Sequence, residues 1–398
     1  MRITLDDRGE IKKLLFTIAE PLNIDILRQL LNRISSVHEP PISYVTAYCI
    51  KTPISEQTKN ELELLKKEFP MHIFYHNFMN LDIAQDSSLI FEHNRKRMGI
   101  IPIKMKHHTV HGFMKSDPGF IGLLRKVLKK AGVSSSLVME GRFEGGNFLS
   151  TPNYYFTYLD REPYSMQKSL PIPIEQKYVY IPSPLMLSNR SNLDHIDMDY
   201  CFIEENDSIK CLMGRSSLEV TRKVSESYLN AASITLENPK RNRPDFQRFI
   251  RPRLKHILEN VVISEKGKRK IASNLQNMFE KPIEMYEVEK MLYLQPTLTT
   301  RGLVVGSSSV SGTNVLMETF DNRKIIYCFT PTSFIKPEYL SSDIKKIFSD
   351  FDKSNTRTYQ QMGYEVKKVT PVSLSMHFMS LIDAGLRCSV KVIERSYD

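Results

Sequence analysis

Five residues that lie far apart along the 398-residue chain have side chains suited to covalent chemistry. They supply one thiol, one imidazole and three carboxylates: Cys388, His195, Asp86, Glu144 and Asp197. Carboxylates match the forked N–H donors of a planar guanidinium ion. A thiolate can attack the central carbon of that ion while an imidazole transfers protons. The set therefore predicts chemistry on a guanidinium group, although none of the segments that carry these residues is diagnostic alone.

In two of the segments, around His195 and around Glu144, the spacing of the residues indicates how the side chains would be oriented. His195 and Asp197 are separated by one residue, so on a strand both side chains would face the same way. Glu144 precedes Gly145 and Gly146, a pair that permits an unusual backbone turn and would fix the carboxylate before it. The ordinary alternatives are a structural histidine for the first segment and a simple hairpin turn for the second.

The other two segments each border a predicted strand. Asp86 precedes the predicted strand Ser88–Glu92, where a turn-forming aspartate is the ordinary alternative. Cys388 follows Gly385 and begins a terminal strand, where a buried structural cysteine is the ordinary alternative. A free thiol is only a few per cent ionised at neutral pH, so Cys388 would need a nearby cation to act. The remaining cysteines are predicted to be core residues: Cys49, Cys201, Cys211 and Cys328.

The composition is that of a water-soluble globular protein, with 41% hydrophobic and 25% charged residues. No apolar run approaches the roughly 20 residues of a membrane-spanning helix, and the N-terminal segment does not resemble a signal peptide. The odd number of widely spaced cysteines, without a CxxC pair, indicates a reducing environment. We therefore expect a cytoplasmic protein, with export by a signal-independent route left open.

The positive charge is concentrated in one segment. The chain carries a net charge of +10, and residues 240–270 contain eleven Lys or Arg against three acids. Such a segment can bind an acidic protein or a nucleic acid, or it can form a solvated helical face.

The histidines His107, His108 and His111 cluster beside lysines and lack a neighbouring acid or cysteine, so we predict no metal site there.

Short runs rich in Val, Ile, Tyr and Phe alternate with helical stretches, which predicts an α/β architecture. The predicted strands are Lys13–Ile18, Ser43–Ile50, His72–His76, Ser88–Glu92, Leu137–Met139, Tyr178–Ile181, Tyr200–Ile203, Leu303–Val305, Val315–Thr319, Ile325–Phe329 and Cys388–Ile393. The predicted helices are Ile24–Ser35, Glu56–Phe69, Gly119–Ala131, Ser216–Ala232, Asp245–Glu259, Lys266–Phe279 and Ser341–Phe351.

Three finer expectations follow from the same pattern. Ser341 is a predicted N-cap and Gly132 a predicted C-cap. The serine-rich run from Gly306 to Gly312 is predicted to be a hairpin turn. Residues 224–289 break the alternation and are interpreted as a basic helical insertion in a single catalytic domain that spans residues 1–398.

In their order along the chain, four motifs resemble those of the guanidino-group-modifying enzymes. These motifs are Gln85-Asp86, Glu144-Gly-Gly-Asn147, Asp194-His-Ile-Asp197 and Gly385-Leu-Arg-Cys388. The superfamily includes arginine, agmatine and peptidylarginine deiminases and amidinotransferases. The resemblance extends from about Leu14 to Ile393 and implies a five-bladed α/β propeller (the pentein fold) built of repeated ββαβ units.

The resemblance also implies a role for each residue. Cys388 would be the nucleophile and His195 the acid and base, while Glu144 would orient the imidazole. Asp86 and Asp197 would clamp the substrate guanidinium. The implied substrate-binding residues are Asp86, Asp197 and Asn147, and no cofactor is implied.

The implied activity is hydrolysis of the guanidinium of arginine or an arginine derivative to a ureido product and ammonia. Gln85 before Asp86 and the helical insertion resemble the peptidylarginine deiminases, which favours peptide or protein arginine as substrate. Ser87 and Leu89 stand where animal peptidylarginine deiminases carry calcium-binding acids, so calcium dependence is not implied. Ala384 and Asp194 replace glycines that are frequent in the family. Amidino transfer and a non-catalytic propeller used for binding remain alternatives.

Overall fold

The structure is a computed structural model, and it describes residues 1–18, 21–38, 44–49, 56–75, 88–102, 104–107, 112–115, 118–139, 145–158, 162–185, 195–235, 243–299, 302–330, 341–370, 387 and 390–397. The first ten strands are β1 (Arg2–Ile3), β2 (Glu10–Ile18), β3 (Tyr44–Cys49), β4 (Met71–Tyr75), β5 (Leu89–His93), β6 (Lys96–Pro102), β7 (Lys104–His107), β8 (Gly112–Lys115), β9 (Ser135–Met139) and β10 (Phe148–Ser150). The other ten are β11 (Tyr154–Thr157), β12 (Lys177–Tyr180), β13 (Tyr200–Glu204), β14 (Ile209–Ser216), β15 (Ile283–Thr299), β16 (Gly302–Ser311), β17 (Leu316–Phe320), β18 (Arg323–Phe329), β19 (Glu365–Val369) and β20 (Val390–Ser396). The helices are α1 (Pro21–Ser35), α2 (Glu56–Glu68), α3 (Pro118–Lys130), α4 (Glu162–Ser169), α5 (Leu218–Thr235), α6 (Arg243–Leu275) and α7 (Ser342–Gln361).

These elements form a mixed α/β fold, as the alternating pattern predicted. The described strands form five sheets of three or four strands and one two-stranded hairpin: β1-β5-β6-β9, β10-β11-β12, β13-β14-β15-β16, β17-β18-β19, β20-β2-β3-β4 and β7-β8. In each of the five larger sheets, an antiparallel pair shares one strand with a parallel pair. A parallel pair needs a long crossover, and helices supply it, as α7 does between β18 and β19. The arrangement of these units as blades of one propeller stays a prediction.

Every strand and helix predicted from the sequence overlaps an observed element, but two assignments were wrong. The insertion does not stay helical to residue 289, because β15 begins at Ile283 and pairs in parallel with β14. The run Gly306–Gly312 is not a turn, since Ser307 to Ser311 belong to β16 and pair with β15. In both cases pairing with a neighbouring strand outweighed the local preference of the sequence for helix or turn.

Two predicted helix ends are confirmed. The side chain of Ser341 accepts a hydrogen bond from the backbone N–H of Ile344 at 3.4 Å, which caps α7. Gly132 adopts a φ of +92° after α3, where Val133 N–H donates to the carbonyl of Leu128 at 2.9 Å. This is the left-handed ending for which glycine is favoured, and it turns the chain from α3 toward β9.

The 33-residue helix α6 is tied to the sheet by buried charges near its C-terminal end. Lys268 is fully buried, and its ammonium group donates to the carbonyl of Gly214 at 2.5 Å at the end of β14. Glu265 accepts from the backbone N–H of Ser216 at 2.9 Å and pairs with Arg215. The basic segment is therefore not a uniformly solvated face, because one of its cations is a core residue. No helix among the described residues has the length and apolar character needed to cross a membrane.

An aromatic core supports the region just before β13. Phe156 in β11 and Phe202 in β13 stack with ring centroids 4.0 Å apart and planes inclined by 9°. Tyr200 and Ile196 belong to the same buried cluster and are fully buried. Burial of such large side chains contributes about 1.5–3 kcal/mol each, so this cluster holds the residues that precede β13 firmly in place.

Candidate active site

His195 and Asp197 lie on a single 3-10 turn that leads into β13. The turn spans Ile196–Met198, and His195 is its N-cap residue with φ −79° and ψ 163°. The carbonyl of His195 accepts from the N–H of Met198 at 3.1 Å. The two residues thus precede the strand, and the alternation of side chains that would apply on a strand does not apply to them. Asp197 is fully buried, whereas His195 is half-buried.

The carboxylate of Asp197 is paired with a guanidinium group from the chain itself. Arg387 Nη1 donates to Asp197 Oδ2 at 2.6 Å, and both side chains are buried. Arg387 Nη2 also donates to the carbonyl of Phe148 at 2.7 Å and to Asp6 Oδ1 at 3.1 Å. Nε of the same side chain lies 3.3 Å from Asp6 Oδ1. One buried guanidinium thus joins four parts of the chain that are distant in sequence.

The glycine-rich motif lies beside this group. Gly145–Asn147 forms a 3-10 turn that enters β10, and it packs against the turn Ile196–Met198. Asn147 is buried, with 8% of its surface exposed. Asp6 closes the arrangement, because its Oδ2 accepts from the backbone N–H of Ser150 in β10 at 2.9 Å. The turn that carries Asn147 and the turn that carries Asp197 are therefore neighbours.

A small cavity of about 20 Å³ lies where these segments meet. Its lining includes Asp6, Leu89, Ile90, Phe148 and Arg387. Leu89 and Ile90 begin β5, just after Asp86 in sequence, and Arg387 directly precedes Cys388. The sequence neighbours of the predicted site residues thus come together. Three predicted residues themselves lie outside the described residues: Asp86, Glu144 and Cys388.

A second buried carboxylate, Asp199, directly follows the turn Ile196–Met198 and ties it to neighbouring elements. Asp199 Oδ1 lies 3.0 Å from both Lys268 Nζ and Lys290 Nζ, and its Oδ2 accepts from the hydroxyl of Tyr158 at 2.9 Å. Burial alone would raise the pKa of Asp199, but the two ammonium groups outweigh it and hold the pKa well below its usual range. Asp199 is therefore ionised, and it anchors the end of the turn to α6 and β15.

Asp7, the acid next to Asp6 in sequence, has a raised pKa, in contrast to Asp199. Asp7 is buried, and burial raises its pKa to about 7, although a hydrogen bond from the N–H of Glu204 and the charge of Arg8 lower it. The hydrogen bond from Glu204 N–H to Asp7 Oδ2 is 2.8 Å long. Asp7 thus changes its charge near neutral pH beside the group that holds Arg387.

The sequence prediction missed three residues of this region. Arg387 stands inside the motif that carries Cys388, and that motif was the signal that could have directed attention to it. Asp6 and Asp199 gave no comparable signal, because their partners lie hundreds of residues away or on another element. Among the described stretches of the chain, no group of three His, Cys, Asp or Glu side chains could hold a metal ion, and His108 and His111 are not among those stretches.

Solved structures with the same fold are deiminases by name. The chain matches C. jejuni agmatine deiminase with a TM-score of 0.50 and 11% identity, over 100% of this chain and 96% of that one. The chain therefore shares the fold of that deiminase. A structure provisionally named a peptidyl-arginine deiminase matches with a TM-score of 0.53 and 11% identity, over 100% and 98% of the two chains. Another, provisionally named an agmatine deiminase, has a TM-score of 0.53 and 11% identity over 98% and 94%. The sequence itself matches no family of proteins and no curated protein.

Proposed function

We propose that this protein is a cysteine-dependent deiminase that hydrolyses the guanidinium group of arginine or an arginine derivative. The observation that carries the proposal is the buried contact between Asp197 and Arg387. It brings the residue before Cys388 to the His-Ile-Asp turn and to Phe148, which follows the glycine-rich turn. The cavity lining adds the start of β5, which follows Asp86. The described residues that adjoin the four motifs thus lie around one place, which supports the proposal in a fold that named deiminases share.

The chemistry of this place suits a guanidinium ion. Asp197 is fully buried, so its charge is weakly screened and pairs strongly with a cation that has N–H donors. A carboxylate has about four lone-pair positions, so Asp197 can accept from Arg387 and from a substrate together. Asp86 would hold the substrate guanidinium from the other side, and Asn147 would contribute to binding the substrate.

The proposed reaction has two steps. The thiolate of Cys388 attacks the central carbon, a C–S bond forms, and His195 gives a proton to the departing amine so that ammonia leaves. His195 then takes a proton from water, the water oxygen attacks the same carbon, and the C–S bond breaks to return the thiolate. One water is consumed and one ammonia is released, so no cofactor is needed. Glu144 would hold the imidazole in position during both steps.

The favoured substrate is an arginine within a peptide or protein. The basis is the Gln85-Asp86 pair and the two helices α5 and α6, which stand between β14 and β15. Free arginine and agmatine are the competing substrates. Amidino transfer to an amine in place of water is the competing reaction.

The test is a colorimetric ureido assay on free arginine, agmatine and a blocked arginine peptide. We expect product from the peptide and a loss of at least about 10³-fold in Cys388→Ala, because the nucleophile is removed. Cys328→Ala is the matched control, since Cys328 is a buried core thiol. A labelled amidino group that moves to an added amine without release of ammonia would establish transfer instead. Absence of any product from all three substrates would contradict the proposal.

A further inference from the structure

Arg387 has a guanidinium group that is buried among partners from three other parts of the chain. Only 4% of the residue is exposed. Asp6 lies in the N-terminal segment, Phe148 begins β10, and Asp197 lies in the turn before β13. A buried cation is stable only when its donors are satisfied, and these partners accept from Nε, Nη1 and Nη2.

We infer that Arg387 is a positioning residue for the reaction at Cys388, an inference that rests on the proposed function. The Cα atoms of consecutive residues are about 3.8 Å apart, so holding the side chain at position 387 limits how far Cys388 can lie from these partners. The far end of that side chain is held by two carboxylates and one carbonyl. Movement of the nucleophile's segment would break these buried bonds.

The same contact fixes the orientation of Asp197. Arg387 occupies Oδ2 at 2.6 Å, and Thr313 donates to the backbone carbonyl of Asp197 at 2.8 Å. Arg387 takes one of the lone-pair positions of Oδ2, so it restricts the directions from which a substrate guanidinium can approach Asp197.

A lysine cannot replace this arginine. The guanidinium is planar and presents donors on three nitrogens, whereas an ammonium group is a single point and cannot reach both carboxylates and the carbonyl with the same geometry. Loss of about 1 Å of precision at a reacting group costs on the order of 100-fold in rate. The expected effect of a substitution is therefore on kcat more than on KM.

The test compares Arg387→Lys and Arg387→Met with matched changes at Arg395. Arg395 is also buried, with 4% exposed, and it donates to the backbone carbonyls of Gly9 at 2.9 Å, Met317 at 2.7 Å and Asp6 at 3.2 Å. It contacts neither carboxylate oxygen of Asp6 that the structure pairs with Arg387 or Ser150. We expect R387M to lower kcat about 100-fold and R387K about 10-fold with KM changed less than about threefold. We expect R395M and R395K to lower the thermal midpoint but to keep kcat within about threefold in the folded protein.

A second measurement does not depend on turnover. The rate of alkylation of Cys388 by iodoacetamide is followed across pH, and the signal of Cys388→Ala is subtracted. Burial raises the pKa values of the Cys201, Cys211 and Cys328 thiols, so they contribute little to the rate. We expect R387M to change the rate at pH 7 by at least about 10-fold and to displace the pH profile, while R395M leaves both unchanged.

The kinetic and alkylation measurements distinguish a failure of the proposed function from a failure of the inference about Arg387. If the wild-type protein turns over no guanidinium compound, the proposed function fails, and the alkylation profile alone decides whether Arg387 positions Cys388. The inference is overturned if R387M matches the wild type in both kcat and alkylation. It is equally overturned if R395M causes the same losses as R387M, because the effect would then be a general loss of stability.

Discussion

At the scale of single residues, Asp7 links the folding of the site region to pH. Its carboxyl group is 1% exposed and burial raises its pKa to about 7 from an ordinary value of 3.8. The folded protein therefore keeps a proton that the unfolded chain releases. For a group of this kind, stability is fully present below about pH 4 and falls as the pH rises from about 4 to about 7.

Asp7→Asn removes this dependence. The amide oxygen can still accept from the N–H of Glu204, but the side chain can no longer ionise. At 1.4 kcal/mol per tenfold change in the dissociation constant, we expect the variant to gain up to about 4 kcal/mol over the wild type at pH 8 and almost nothing at pH 4. Urea unfolding at pH 4, 5.5, 7 and 8 measures the difference. Asp207→Asn at an exposed site is the control, and the same pH slope in wild type and Asp7→Asn would refute the assignment.

The residues that the sequence identified are those with a local signal. The turn that carries His195 and Asp197 and the turn that carries Asn147 were found because histidine, acids and paired glycines stand out in a short window. The partners of Arg387 were not found, because Asp197 is 190 residues away and Asp6 is 381 residues away. A short motif reports the chemistry of its own side chains, whereas a buried ion pair depends on how distant segments fold together.

At the scale of elements, helices were easier to predict than strand partners. The two predicted helices Asp245–Glu259 and Lys266–Phe279 fall on one helix, α6, because the residues between them continue the apolar face. The second prediction ran four residues past the end of α6 at Leu275. Strand β15 was not predicted at all, and at its start Glu284, Glu287 and Glu289 are typical of a helix. Its parallel register with β14 decides the outcome, since Ile283 pairs with Ile209 and the pairing continues to Lys290.

The anchoring of α6 through Lys268 gives a prediction at this scale. Lys268→Met removes one of the two ammonium groups at Asp199 and leaves a buried carboxylate partly uncompensated. Breaking a buried ion pair from one side costs about 3–5 kcal/mol. We expect a loss of this size in the free energy of unfolding, measured by urea titration with circular dichroism and tyrosine fluorescence, which the absence of tryptophan makes readable.

Lys270→Met is the matched control, since Lys270 is exposed on the same helix only two positions further along. Its expected effect is below about 0.5 kcal/mol, as for most surface substitutions. Because Asp199 stands two residues after Asp197, the Lys268 variant should also lose turnover. Equal stability of the two variants would show that the pairing of Asp199 with α6 contributes nothing to the fold.

At the scale of the whole molecule, the alternation of strands and helices was predictable, but several strands and the repeat were not. Strand pairs followed by a crossover helix and a parallel strand recur in five sheets. The units differ in length and composition, and one of them contains both α5 and α6, so no repeat is visible in the sequence. The chain ends meet in one sheet through β2 and β20, a contact that no local pattern can reveal.

The distribution of charge over the molecule leads to a last prediction. Lys268 is internal, but Lys255, Lys266, Arg269 and Lys270 are exposed along about 20 Å of α6. We expect the protein to bind fluorescent polyglutamate, with an affinity that falls as the salt concentration rises. The triple variant K266E/R269E/K270E should bind the polymer at least about 10-fold more weakly. Its turnover of small substrates should be unchanged. The control K345E/K346E/K353E makes the same change in net charge on α7, where all three lysines are exposed. An equal loss of binding in the control would mean that net charge alone attracts the polymer and that α6 is not a docking surface.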